Sequence, residues 1–454
     1  MPRRPARFAF AAYAANRLGR RRTDLVTTAR LKDRFAGAMQ SPMPAFVAAF
    51  LLRMSLLWAI HRDRDAHQFL FFPTSHEAWN VAWAMVLGNG FSSPLAGMHG
   101  PTAWVAPAYP VLIALGLKLS SNDGYAAMVL CLSLNCLASA LTCWPIYGIG
   151  KKIGGHQVGL ASCWLWVFLP TAIIFPLEWL WDPSFSAFLL ALLIYWTLKL
   201  AAAPSTLPWV GYGLLWGISI LMNPAVGILF PFLLLWLVQH RWRGHLPWRS
   251  QAASAVLFLA LSLLPWTARN YAAFGKLIPI KDNFGLELWL GNNPGVKRNW
   301  SPNYHPVADK HEMQQLLQLG EADYMQGKQR EAAEFIEAHP AVFLKLAVNR
   351  FADTWTGIGD VPSDRWVSAL RCGTAYIWIT SALSLLAFAG LYLVWRSFGW
   401  EAAPIWIAPI VFPMTYYLTH SILRYRHPID PVLTVLAVYA MARAGSVVSR
   451  RLAT

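Results

Sequence analysis

The sequence is poor in charge, and acidic residues are scarcer still. Only 13% of its 454 residues are charged, and 22 Asp and Glu stand against 38 Lys and Arg, whereas 56% of the residues are hydrophobic. Soluble domains carry about 25% charged residues. The composition therefore excludes an ordinary soluble domain and indicates an all-α polytopic membrane protein.

Cysteine is also scarce, and the chain does not begin like a secretory precursor. The five cysteines lack a CxxC pair and fall mostly in apolar segments, at 131, 136, 143, 163 and 372. They are predicted to be small core residues and neither a disulfide framework nor a metal site. Residues 1–43 lack an apolar core followed by a small-residue cleavage site, so no removable signal peptide is predicted.

The basic residues concentrate at the N-terminus. Residues 1–43 hold ten Lys and Arg against Asp24 and Asp33. This pattern is typical of a cytoplasmic segment on anionic membrane lipid, and it does not argue for nucleic acid.

Apolar runs of about 20 residues predict the membrane spans. Eight are clear: 44–60, 125–149, 157–174, 184–201, 252–272, 373–395, 401–419 and 430–448. Residues 209–239 are predicted to cross twice with a break at Asn223-Pro224, and 105–119 and 340–356 to lie flat or re-enter. This gives about ten spans in the plasma (inner) membrane with both termini cytoplasmic, because every later basic cluster then faces the cytoplasm.

The same topology divides the chain into four parts. A basic cytoplasmic segment (1–43) precedes a transmembrane core (44–272) with outer loops 61–124 and 175–183. An extracytoplasmic segment with an interfacial helix (273–372) follows, and the last helices end in a short basic tail (373–454). Nearly all unusual polar residues lie on the predicted outer face.

Carboxylates stand out on that face. Glu77, preceded by His76, opens an amphipathic stretch (77–87). Glu178 and Asp182 lie among the aromatic residues of loop 175–183. Acids beside hydrocarbon usually mark function. Capping of a helix N-terminus by Glu77, and hydrated interfacial positions for the other two, remain alternatives. His76-Glu77 is not a zinc motif, because no second histidine follows at the HExxH spacing.

Cations gather on the same face. Arg269 ends a span, and Arg424, Arg426 and His427 precede the last one. The forked guanidinium suits phosphate, which suggests an anionic, lipid-linked ligand, with pairing to the acids or to lipid headgroups as the alternative. Further cavity candidates are Tyr109, Asp282, Asn292 and Asn293. Residues 307–339 are predicted to form a solvated helical cover.

Several stretches in order resemble the GT-C class of membrane glycosyltransferases, specifically the family 39-like branch related to protein O-mannosyltransferases and lipid A aminoarabinose transferases. They include "HEAWNVAWAMVLGNGFSSP", "EWLWDPSFSAFLLALL", "PWTARNYAAFGKLIPIKDNFGLELWLGNNPG" and "RYRHP". The resemblance covers roughly residues 44–440. It implies a GT-C-like arrangement with amphipathic juxtamembrane helices in the first outer loop.

The resemblance also implies an activity. A sugar would pass from a polyprenyl-phosphate donor to an extracytoplasmic acceptor, which could be a glycolipid, a protein or a polysaccharide. Glu77 matches the acid of the first-loop motif, where His76 replaces a second acid. Asp182 matches the second-loop acid, with Glu178 as the alternative, and Arg424 and Arg426 match the basic motif that contacts the carrier phosphate.

A mechanism follows from these assignments. Glu77 would be the general base of a single, inverting displacement, and Arg424, Arg426 and Arg269, together with His427, would stabilise the leaving phosphate. No cofactor is expected beyond the donor substrate, and a divalent metal is not required, although the question stays open. The alternatives are a lipid-linked sugar transporter or flippase and a non-catalytic lipid-binding protein of the same fold.

Overall fold

The computed structural model of the protein describes residues 41–62, 77–178, 180–203, 205–358 and 375–452. In these ranges the regular structure is helical, with one isolated bridge between Ser92 and Pro101. The helices are α1 (Met43–His61), α2 (Glu77–Val86), α3 (Ala108–Leu119), α4 (Gly124–Leu141), α5 (Cys143–Phe168), α6 (Pro170–Glu178), α7 (Pro183–Leu200), α8 (Leu207–Met222), α9 (Phe230–Arg243), α10 (Arg249–Phe274), α11 (Phe284–Gly291), α12 (Lys310–Leu319), α13 (Glu321–Ala338), α14 (Pro340–Thr356), α15 (Ala375–Phe398), α16 (Ala403–Val411), α17 (Met414–Leu418), α18 (Leu423–Arg426) and α19 (Asp430–Leu452).

Among the described residues, six helical stretches are long and apolar enough to cross a membrane. Two of them, Gly124–Phe168 and Ala375–Leu418, each contain more than one helix, and α3 and α8 are shorter apolar helices. The all-α membrane fold predicted from the sequence is confirmed. The count of ten spans stays a prediction, and so do the boundaries of the four predicted parts.

Helix breaks fall at residues with the right backbone chemistry. α8 ends before Asn223, whose side chain accepts a hydrogen bond from Ala225 N and starts a 3-10 turn, so the predicted break within 209–239 is confirmed. Within the predicted spans 125–149 and 157–174, α4 stops at Leu141 and α5 at Phe168, and the predicted boundary between the two spans falls at a kink that divides α5. The backbone inside α5 is non-helical at Gly155, where φ is +81°. A side chain would be strained there.

A buried arginine closes the junction between α5 and α6. Arg53, on α1, is fully buried and donates to the carbonyls of Trp166 (3.1 Å) and Ala172 (2.8 Å) and to Ser139 Oγ (3.0 Å). Leu169 is extended, so the last carbonyls of α5 lack helical partners. The guanidinium replaces those partners where water is absent.

The first outer loop and the outer segment share one core. Val81, Trp104 and Val105 pack in the same cluster as Leu286 and Leu290 of α11. The amphipathic stretch 77–87 forms α2, and residues 340–356 form α14. The polar stretch 307–339 contains α12 and α13, separated by Gly320 at φ +78°. This shared core places the N-terminus of α2 beside α11.

Candidate active site

Glu77 lies at the first position of α2 and remains partly exposed. Burial raises its pKa above the ordinary glutamate value, and the nearby Glu287 carboxylate raises it further. The positive charges of Arg424 and Lys281 act in the opposite direction. Glu77 is thus a carboxyl group that is more basic than usual and faces two cations.

Asp182 faces the same two cations. It is buried just before α7, where its Oδ2 accepts hydrogen bonds from Ser186 Oγ (2.5 Å) and Asn223 Nδ2 (3.0 Å). Burial raises its pKa, and the Ser186 hydrogen bond, Lys281 and Arg424 lower it. The break after α8 therefore has a positional consequence, because it delivers the amide of Asn223 to this carboxylate.

Arg424 is positioned by aromatic rings. Its guanidinium carbon lies 5.2 Å from the ring centre of Trp181 and 5.4 Å from that of Tyr425, which stacks on Tyr416 at 4.8 Å. Planar guanidinium groups are attracted to such faces. Arg424 therefore has a defined orientation beside the two acids, as a phosphate-binding group requires.

Two further groups complete the set. Glu287, on α11, accepts from Asn283 Nδ2 at 2.9 Å, and its Oε2 lies 3.6 Å from His420 Nδ1. Burial lowers the pKa of His420, which therefore stays neutral near pH 7. We call this group the outer polar cluster; its members are Glu77, Asp182, Lys281, Glu287, His420 and Arg424.

Half of this cluster was missed in the sequence analysis. Glu287 and Lys281 lie in the turn-rich stretch "KDNFGLELWLGNNPG", and His420 lies four residues before Arg424. That four-residue spacing beside the "RYRHP" motif was the available signal for His420. Nothing in the sequence alone distinguishes Glu287 from the neighbouring Asp282.

Arg426 and His427 do not join the cluster. Arg426 is fully buried and donates from Nε to Asp430 Oδ1 at 2.9 Å and from Nη1 to Ser384 Oγ at 3.0 Å. His427 Nδ1 lies 3.0 Å from Asp430 Oδ2. The structure does not bring these two predicted phosphate-binding residues into the cluster, because both side chains are engaged by the buried Asp430 carboxylate. Arg424 remains as the candidate.

Arg269 is also engaged elsewhere. Its guanidinium donates to the carbonyls of Thr102 (2.7 Å) and Phe91 (2.5 Å) and lies over the ring of Trp266. The Phe91 carbonyl also accepts from Thr102 N, so Arg269 binds both sides of the backbone pairing within this loop. Arg269 therefore does not take the predicted phosphate contact but stabilises the first outer loop.

The remaining candidates have mostly structural partners. Tyr109 donates to Asn135 Oδ1 at 3.1 Å, Asn292 donates to the carbonyls of Leu288 and Leu418, and Asn293 Oδ1 accepts from Gly295 N. His76 lies outside the described residues. Glu178 ends α6, and its side chain also lies outside the described part of the structure.

Asp282 belongs to a buried acid pair that joins the outer segment to the first outer loop. Its partner Glu321 accepts hydrogen bonds from Thr102 Oγ1 and Ala103 N, both at 2.6 Å, and the backbone N–H of Asp282 donates to the Ala103 carbonyl. Burial raises the pKa of both carboxyl groups, and the Asp282 charge raises that of Glu321 further. The Glu321 side chain and the Asp282 backbone thus join the outer segment to the first outer loop.

This acid pair predicts a pH dependence of stability. Because the folded pKa of Glu321 is raised, its contribution to stability is complete below the ordinary value of 4.5 and is lost as the pH rises through the raised pKa. In detergent, the thermal midpoint of the wild type should fall between about pH 5 and about pH 9. Glu321→Gln should flatten that fall, whereas Glu334→Gln, at an exposed position, should not. Equal slopes in all three proteins would contradict the assignment.

No group of three or more metal-ligating side chains occurs among the described residues. The expectation that no metal is needed stays a prediction, since His76 lies outside those residues.

Comparisons with known proteins agree with this architecture. The sequence model of the dolichyl-phosphate-mannose-protein mannosyltransferase family matches residues 104–267. No curated protein matches the chain. The oligosaccharyltransferase of Archaeoglobus fulgidus, solved with Zn and sulfate, is similar in structure at a TM-score of 0.52 and 14% identity, over 90% of this chain and 50% of that one.

A second structure of the Archaeoglobus fulgidus enzyme gives the same result. It contains an inhibitory peptide and a dolichol-phosphate, and it matches at a TM-score of 0.52 and 13% identity, over 90% of this chain and 51% of that one. The chain thus spans about half the length of these relatives. Together, the family match and the shared fold confirm the resemblance to the GT-C class.

Proposed function

We propose that this multi-pass membrane protein of the GT-C class transfers a sugar from a polyprenyl-phosphate donor to an acceptor on the extracytoplasmic face. One observation carries the proposal: Glu77 and Asp182, from two different loops, share the charges of Arg424 and Lys281. A base and a phosphate-binding group in one site are what such a transfer needs.

The chemistry is a single displacement. An acceptor hydroxyl or amine attacks the anomeric carbon, its proton passes to Glu77, and the bond from that carbon to the phosphate oxygen breaks. The raised pKa of Glu77 makes it a stronger base than an ordinary glutamate. Attack opposite the leaving group inverts the anomeric configuration.

The phosphate leaves with its negative charge and requires electrostatic stabilisation more than protonation. Arg424 supplies a planar double donor, and Lys281 a second positive charge. The dolichol-phosphate present in the archaeal relative supports a lipid phosphate as the ligand here. Asp182, anchored by Ser186 and Asn223, holds both cations in place.

The membrane orientation belongs to the proposal as well. The site is formed by loops 77–107 and 180–182, the start of the outer segment and residues 420–426. The positive-inside tendency places these loops outside the plasma membrane and both termini in the cytoplasm. The acceptor is a glycolipid, a protein or a polysaccharide.

Arg424→Lys tests the phosphate role. Lysine keeps the charge but loses the bidentate fork and the stacking on Trp181, so kcat/KM for the donor should fall by a factor of about 10–100. Steady-state transfer by purified protein in detergent measures the effect. Arg330→Lys, at an exposed position on α13, is the matched control and should behave like the wild type. Unchanged kinetics in Arg424→Lys would remove Arg424 from the site.

A further inference from the structure

The Glu287–His420 pair has features that the transfer step does not explain. His420 is 4% exposed, its ring stacks on Trp300 at 5.0 Å, and its Nδ1 makes no hydrogen bond among the described residues. A buried ring nitrogen without a partner is costly unless a ligand or water completes it.

The tautomer of His420 follows from its neighbours. Tyr425 OH lies 3.3 Å from His420 Nε2 and is also hydrogen-bonded to Arg424. Arginine only donates, so the tyrosine oxygen accepts from Arg424 and gives its own proton to Nε2. The neutral imidazole then carries its proton on Nδ1, the nitrogen that faces Glu287.

The distance between His420 Nδ1 and Glu287 Oε2, and the polarity of both groups, indicate what could bind beside them. Nδ1–H and Glu287 Oε2 are 3.6 Å apart, which is too long for a good direct hydrogen bond. Glu287 is 29% exposed at its side chain, so a ligand can reach it. A hydroxyl group can accept from Nδ1–H and donate to the carboxylate at the same time.

We propose that Glu287 and His420 form a subsite for one ring hydroxyl of a sugar, adjacent to the phosphate-binding Arg424. The inference rests on the proposed function for its substrate class. Tyr425 contacts both His420 and Arg424, so a hydroxyl held here lies beside the carrier phosphate. The sugar is either the one being transferred or a sugar acceptor, since both present the same hydroxyl chemistry.

Other charged and titratable groups also face Glu287. They come from α2, the loop before α12 and the segment 416–425, and they are Glu77, His305, Tyr416, His420 and Tyr425. Lys281 and Arg424 act on the neighbouring Glu77.

The test compares polyprenyl phosphate carrying a hexose or a pentose with bare polyprenyl phosphate. Native mass spectrometry of the purified full chain in detergent measures the affinity for each. The wild type should prefer a glycosylated carrier, and Glu287→Gln and His420→Phe should each reduce that preference about tenfold. Affinity for the bare carrier and the thermal midpoint should not change, which a merely structural role would not allow. Glu334→Gln and His339→Phe, at exposed positions, are the matched controls.

A second arm separates the two sources of the hydroxyl. Methyl glycosides serve as acceptor probes at saturating donor. A raised KM for the glycoside with intact carrier preference assigns the subsite to the acceptor, and lost carrier preference assigns it to the transferred sugar. If neither variant changes either quantity, the subsite is overturned. If the wild type binds glycosylated carriers but transfers nothing, the subsite stands and the proposed function fails.

Discussion

Glu77→Gln should lower the rate of sugar transfer by a factor of about 10²–10⁴ while the protein still folds and binds its donor. Glutamine matches glutamate in size but cannot accept the proton of the attacking hydroxyl. The loss should appear in kcat and not in KM, because the proton moves only in the transition state. Single-turnover transfer with purified protein separates the rate of the chemical step from the binding of the donor.

The pH dependence gives a second signature of the same residue. Glu77 must be deprotonated to act as a base, and its pKa is raised by burial and by Glu287. The transfer rate should therefore rise with pH through that raised pKa, above the range of an ordinary glutamate. The residual activity of Glu77→Gln should not show this rise. Full activity in Glu77→Gln would remove the residue from the base role, and Glu334→Gln controls for the loss of one surface charge.

Arg53→Met should produce the largest loss of stability. The buried guanidinium donates to the carbonyls of Trp166, Val167 and Ala172, and Ser139 Oγ also donates to the last of these. Methionine removes all the guanidinium bonds in an apolar interior and leaves the Trp166 and Val167 carbonyls without this donor. Each unsatisfied buried group costs about 1–3 kcal/mol, so the free energy of unfolding should fall by about 3 kcal/mol or more. Arg62→Met, at the exposed end of α1, removes the same charge without a buried partner and is the control.

The Arg53 variant also helps to distinguish a structural role of this residue from a role in a transport pathway. A charged residue in the middle of a span is often part of a transport pathway. Arg53 instead makes its hydrogen bonds to the junction of α5 and α6. Chemical or thermal unfolding in detergent measures the effect, and a variant as stable as the wild type would mean that this junction does not need the guanidinium.

The helical parts of the fold were accessible from the sequence because local signals define them. Asn223-Pro224 and Gly320 mark breaks through backbone chemistry that does not depend on distant residues. Apolar runs likewise predict helices that lie in lipid. The end of α5 at Phe168 also has a local signal, because Pro170 disfavours a helical conformation at Leu169, although the predicted span continued to residue 174.

Some residues of the candidate site could likewise be predicted from the sequence, and others could not. Glu77 and Arg424 stand out because charge next to apolar sequence is expensive. The sequence could not show that Arg426 turns toward Asp430 while Arg424 turns toward Trp181, since both arginines lie in the same short motif. The shared role of Glu287 and His420 depends on a contact across 133 positions, which no local pattern encodes.

Mass spectrometry of cell-envelope glycolipids and glycoproteins tests the central claim most directly. The experiment compares three strains: the deletion strain itself, the deletion strain that carries the wild-type gene, and the deletion strain that carries Glu77→Gln. One and the same sugar substituent should disappear in the deletion strain and in the Glu77→Gln strain and return with the wild type. A substituent that is lost on deletion but fully present with normally expressed Glu77→Gln would contradict the central claim.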